Sequence, residues 1–192
     1  MKFNNYLVQK REYPLSIYAQ KAQQMKEAGV DVINLTIGDP LDNTFPKVYE
    51  RLCTEVAKLK NSQYPVGKGH LAYREAVANW AKRNHGIELN ANTDVVSCNG
   101  SKEAVFHLPL LFDWSDGAEM FFASMSYPVY AASAAIYGIK TRELPLSEET
   151  GFLPDLDAID DETWRKCRVF WLNSPHNPTT AEASKEYFAK LL

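Results

Sequence analysis

Cysteine is scarce in this 192-residue chain: Cys53, Cys98 and Cys167 are odd in number, far apart and never in a C-x-x-C pair. That excludes a disulfide framework and a zinc knuckle, and reads as three reduced thiols. The four histidines, His70, His85, His107 and His176, show no H-x-x-x-H or H-E-x-x-H spacing, so no metal site is expected. Positive charge is also short. With 21 Lys and Arg against 24 Asp and Glu the net charge is −3 and no basic run exists, so nucleic acid is not an expected partner. No apolar stretch reaches membrane-spanning length, and Met1-Lys2-Phe3-Asn4-Asn5 lacks the apolar core of a secretory signal. A cytoplasmic protein without a membrane partner is expected.

What is present alternates. Helices are predicted at 16–28, 46–59 and 70–84, with Gly29 and Gly86 as stops and Pro46 suited to a first turn. A short strand is predicted at 32–35. From residue 95 onward strands at 95–98, 119–123, 140–144 and 168–172 rotate with helices at 102–112 and 128–137, a short helix at 154–159 and a last one from about 181. That rotation predicts an α/β fold: a mostly parallel sheet with helices on both faces.

Two turns carry the chemistry. Asn99-Gly100-Ser101-Lys102 joins a predicted strand to an apolar-periodic helix, where free N–H groups and the helix dipole favour an anion. A Gly and a hydroxyl at a strand-to-helix turn also serve as a plain N-cap. No G-x-G-x-x-G follows that strand and no G-x-x-x-x-G-K-[ST] occurs, so a small phosphate monoester fits better than a nucleotide. The second turn, Asn173-Ser174-Pro175-His176-Asn177-Pro178-Thr179, aims the Asn177 amide, a donor suited to a phenolate oxygen, with prolines on either side. Between them Tyr127, in Ser126-Tyr127-Pro128, is placed either to stack on a flat heteroaromatic ligand or to plug its loop. In an open α/β sheet such turns share the carboxyl edge, where ligands bind.

In order along the chain, Thr36-Ile37-Gly38-Asp39-Pro40, the block Tyr64 to Arg74, Asn99 to Ala104, Tyr127-Pro128-Val129-Tyr130 and Asn173 to Thr179 form a set that resembles the class I/II aminotransferases, the fold-type-I enzymes dependent on pyridoxal 5'-phosphate. The resemblance spans nearly the whole chain. It implies an N-terminal arm and part of a small domain over 1–45, and a pyridoxal-phosphate-binding large domain, incomplete, over 46–192. By the same resemblance Gly100, Ser101 and Lys102 would hold the cofactor phosphate, Tyr127 would stack on the pyridine ring and Asn177 would bond its phenolic oxygen. Tyr64 would reach the phosphate of a neighbouring subunit, implying a homodimer with shared active sites. Ile37 and Gly38 would lie beside the substrate carboxylate. Two positions depart from the pattern: Thr180 stands where the family usually has Gly, and Met125-Ser126 replaces a Pro or Asp lead-in.

The function implied is transfer of an amino group between an amino acid and a 2-oxo acid, by an aminotransferase of the aspartate or alanine type or of the related branch acting on diaminopimelate-pathway intermediates, toward which the Asn-Pro-Thr-Thr ending loosely leans. The Schiff-base lysine, an acid at the pyridine nitrogen and an arginine for the substrate carboxylate come after Asn-Pro-Thr in this family. The chain ends before them, so it is expected to hold no catalytic residue and to be inactive alone, with an unpaired apolar sheet edge. A lyase on the same fold, or a non-catalytic cofactor-binding or dimerisation module, are the alternatives.

Overall fold

The structure is a computed structural model and describes residues 14–35, 38, 40 and 42–192, the side chains of 14 and 15 excepted. The chain divides into two compact units, Met1–Val96 and Ser97–Leu192. This division by contacts is a separate matter from the domain boundary expected at residue 45.

Within the first unit, helix α1 spans Pro14–Glu27, α2 Pro46–Val56 with a 3-10 turn at Leu59–Asn61, and α3 Leu71–His85. Pro46 opens α2, where its missing N–H costs nothing, and Gly86 closes α3 in the left-handed conformation at φ 69°. The strand expected at 32–35 is not one. Ile33 and Leu35 are 83% and 90% exposed, and no described residue forms a ladder with them; an extended segment outside a ladder is not a strand. Among the described residues of this unit only Gly69, Arg74 and Ala81 are buried.

The second unit holds a three-stranded parallel sheet of order β2-β1-β3, with β1 at Glu119–Ala123, β2 at Lys140–Leu144 and β3 at Cys167–Trp171. Central β1 is buried along 120–123, as a near-continuous apolar run in a parallel sheet should be. Its period of two sorts the residues. Met120 and Phe122 join Tyr130, Ala134, Ile139 and Val169 in one cluster, while Phe121 meets Trp164 with ring centroids 6.0 Å apart. Helices therefore lie on both faces: α5 (Val129–Tyr137) on the first and the short α6 (Asp161–Trp164) on the second. The remaining elements are α4 (Ser101–His107), continued by a 3-10 turn at Leu108–Leu111, and α7 (Lys185–Leu191).

Three sequence expectations change here. Residues 95–98 are extended without a ladder partner among the described residues, so the strand before the glycine turn is absent. The helix expected at 154–159 is replaced by turns, because the Asp155 carboxylate accepts the Asp157 N–H at 3.0 Å and diverts the backbone from helical bonding. Asp160 instead caps α6, accepting the Thr163 N–H at 2.7 Å. The last helix starts at Lys185, four residues later than expected, behind the cap Ser184. No helix among the described residues is long and apolar enough to cross a membrane.

Candidate functional site

Five of the proposed contacts lie in the second unit. Gly100 turns the chain into α4 at φ 83°, and a Cβ added there would meet nothing within 4 Å. The N–H groups of Ser101 and Lys102, the first two of the helix, have no acceptor among the described residues. The Gly100 N–H donates to the Cys98 carbonyl at 2.9 Å, and that of Asn99, one residue before the cap, donates to the Glu103 carboxylate, a contact that sequence reading had not used.

Tyr127 lies at the end of the turn after β1 and packs by its body on the core cluster, with Tyr130 edge-on at 5.8 Å. The loop-plug reading is thus partly realised. Yet the Lys102 Nζ stands 5.9 Å from the Tyr127 ring centroid, so the structure brings the glycine turn and the aromatic together. The cause is nonlocal. Ser133 Oγ, 1% exposed, donates to the Phe106 carbonyl at 2.6 Å, and His107 Nδ1 pairs with the Tyr137 hydroxyl at 2.7 Å. These bonds clamp α4 to α5, and each helix begins at one of the two turns.

Asn177 follows β3, the neighbour of β1, so its turn shares the carboxyl edge with that of Tyr127. Its N–H donates to Asn173 Oδ1 at 3.0 Å, while its side-chain amide is exposed and bonds no described residue. Both Ser174–Pro175 and Asn177–Pro178 are cis. No hydrogen bond joins Asn177 to Tyr127 or to the glycine turn; the shared sheet edge is what relates them.

Between these groups lies a residue that sequence reading passed over. His176 is 3% exposed although Pro175 and Asn177 beside it are exposed. Burial lowers its pKa below the ordinary value, against an opposing pull from the Met125 backbone. A lone His between prolines carries no periodic signal by which to foresee this.

In the first unit Tyr64 is fully exposed, and Gly38 has open space where a Cβ would stand. Ile37 lies outside the described residues. Arg74, from the Tyr64 block, is 7% exposed and spends its guanidinium on the carbonyls of Gly69 and Ala91, a structural use of that side chain. Among the described residues no cluster of His, Cys, Asp and Glu could hold a metal ion.

A family model described as aminotransferase class I and II matches residues 30–192. The LL-diaminopimelate aminotransferase of Oleidesulfovibrio alaskensis is 45% identical over 164 residues, covering 85% of this chain and 42% of that protein. The same enzyme of Desulforudis audaxviator is 42% identical over 185 residues, covering 95% and 47%. Among solved structures, apo-BacF from Bacillus subtilis superposes with a TM-score of 0.87 at 28% identity, covering 100% of this chain and 49% of that one. A probable N-succinyldiaminopimelate aminotransferase from Thermus thermophilus gives 0.81 at 27%, covering 92% and 48%. The chain spans about half the length of the relatives it matches.

Proposed function

This chain belongs to the class I and II aminotransferases, whose cofactor is pyridoxal 5'-phosphate, and we propose that it forms part of an enzyme moving an amino group between an amino acid of the diaminopimelate type and a 2-oxo acid. The substrate class rests on the 45% and 42% identity to LL-diaminopimelate aminotransferases. The site reading rests on one observation above the rest: the Lys102 ammonium 5.9 Å from the Tyr127 ring, where the starts of α4 and α5 meet.

The residues present fit a phosphorylated pyridine. Two unpaired N–H groups and a cation suit a phosphate, a half-buried ring offers a face, and a free amide on a proline-bounded turn offers a donor. When bound, the cofactor supplies an electron sink at the substrate's α-carbon. In this assignment Gly100, Ser101 and Lys102 hold the phosphate, Tyr127 holds the ring plane, and Asn177 donates to the phenolic oxygen. Tyr64 reaches the phosphate of the second subunit of a homodimer, while Ile37 and Gly38 line the place of the substrate carboxylate. Residues 1–45 then form the arm and part of the small domain, 46–192 the cofactor-binding domain, and the enzyme works in the cytoplasm.

No residue of these 192 is assigned a catalytic role, and the chain alone is not expected to turn over. Incubation with pyridoxal 5'-phosphate and then borohydride tests both halves of the reading. Reversible binding that weakens when Tyr127 or Asn177 is replaced by Ala supports the site, whereas covalent labelling of a lysine within residues 1–192 would overturn the lack of a catalytic residue. Amino transfer to 2-oxoglutarate by the isolated chain would do the same.

A further inference from the structure

Ser133 is 1% exposed and lies in α5 among residues of the core cluster, beside Ala134 and one turn after Tyr130. A buried hydroxyl is costly unless it bonds something, and this one donates across to the Phe106 carbonyl of α4 at 2.6 Å. That carbonyl has no donor of its own helix to turn to. Phe106 belongs to the last turn of α4, whose carbonyls lack an N–H four residues on within the helix. Pro109, three residues on, carries no N–H, and Leu110 lies in the 3-10 turn, a conformation whose N–H groups bond three residues back instead of four. Ser133 thus supplies from α5 the donor that the backbone around Pro109 withholds.

The contact is part of a seam. One turn further along α5 the Tyr137 hydroxyl pairs with His107 Nδ1 at 2.7 Å, and the Phe106 and Tyr137 rings meet edge-on with centroids 5.6 Å apart. Tyr130, Ser133 and Tyr137 are spaced by three and four residues, one stripe of α5, while Lys102 and Phe106 are spaced by four, one stripe of α4. At the other end of the same seam the Lys102 Nζ stands 5.9 Å from the Tyr127 ring centroid, and Tyr127 is edge-on to Tyr130 at 5.8 Å. We propose that Ser133 is a positioning residue: by pinning the Phe106 carbonyl it fixes how far α4 stands along α5, and so where Lys102 stands against the Tyr127 ring. Its importance for cofactor binding rests on the site reading above; the placement of Lys102 does not. Without the hydroxyl the Phe106 carbonyl is left unpaired, and α4 shifts until that carbonyl meets water, which carries the Lys102 stem away from the ring.

The experiment uses the full 192-residue chain without cofactor and compares the wild type with Ser133→Ala and Ile139→Val by NMR. Ile139→Val takes one methylene from the same core cluster and leaves the Ser133 bond in place, so it reports what loss of packing alone does. In the wild type a nuclear Overhauser cross-peak joins the Lys102 ε-methylene to the Tyr127 ring protons. It is expected to vanish in Ser133→Ala and to persist in Ile139→Val. A cross-peak that persists in Ser133→Ala, or vanishes in both variants, overturns the proposal. Should Ser133→Ala fail to fold, Ser133→Cys keeps the bulk, replaces the hydroxyl by a weak donor, and is read by the same signal with the same outcomes. A pyridoxal 5'-phosphate titration runs beside it. Binding weakened by about fivefold or more in Ser133→Ala and unchanged in Ile139→Val supports the positioning role, whereas equal binding by wild type and Ser133→Ala overturns it. A wild-type chain that binds no pyridoxal 5'-phosphate sinks the site reading instead, and the cross-peak then decides the placement of Lys102 by itself.

Discussion

Tyr130 lies flat against Trp171, ring centroids 5.0 Å apart and planes 7° from parallel. The stack fastens the helix after β1 to the last residue of β3, and Trp171 Nε1 also donates to Met120 Sδ at 3.0 Å. Two turns bearing proposed cofactor contacts leave from these same places. A double-mutant cycle with Tyr130→Leu and Trp171→Leu is expected to give a coupling of about 0.5–1.5 kcal/mol in urea unfolding. Additive effects would mean that the stack holds nothing.

Thr180 sits in the left-handed region at φ 62°, where a β-branched side chain is strained. Relief of about 1–2 kcal/mol on Thr180→Gly is partly offset by about 0.5–1 kcal/mol for the freer unfolded chain. The net expectation is a gain of about 0.5–1 kcal/mol, read as a higher denaturant midpoint at unchanged m-value. A lower midpoint would show that the threonine contributes contacts outweighing its backbone strain.

The Cys167 thiol is pushed up to about 11 by burial, with the Glu119 carboxylate adding to it. At pH 8 a disulfide-exchange reagent should therefore modify the exposed Cys53 and Cys98 quickly and Cys167 only at the rate of unfolding. The folded pKa exceeds the unfolded one, so the thiol's contribution to stability is complete below about pH 9 and is lost as pH rises toward about 11. Three thiols reacting at one rate in the native chain would contradict this.

The described residues of the first unit bury little. The face of α2 made by Val48, Leu52 and Val56 is exposed, as are Tyr49 and Leu59. Few buried contacts mean cheap local opening, so amides of α2 should exchange far faster than those of β1, and a protease should cut within 1–96 before it cuts within 119–171. The same apolar side chains should bind a hydrophobic dye in the native state. Equal protection in α2 and β1 would refute the expectation.

Much of the second unit was legible from local pattern. The strands expected at 119–123 and 140–144 are found at those bounds, and the helix expected at 128–137 runs Val129–Tyr137. The parallel α/β class followed from the rotation of elements. Less legible were segments whose state depends on a distant partner. Residues 95–98 and 32–35 carry strand-like sequences and yet form no ladder among the described residues. The 154–159 stretch looked helical until the Asp155 side chain claimed the Asp157 N–H.

The candidate contacts divide the same way. That Gly100, Tyr127 and Asn177 belong to turns is written in their neighbours, Ser101, Pro128 and Pro178, because turn and cap preferences act over a few residues. That Lys102 reaches the Tyr127 ring, and that His176 is buried with one nitrogen unpaired, followed only from tertiary packing: the Ser133 to Phe106 bond that holds the two helices spans 27 positions. Sequence alone settled the turn and cap chemistry and the elements around β1, since those rest on local free energies. Which side chains meet was decided by the fold, since burial and hydrogen-bond partnership exist only once distant segments are brought together.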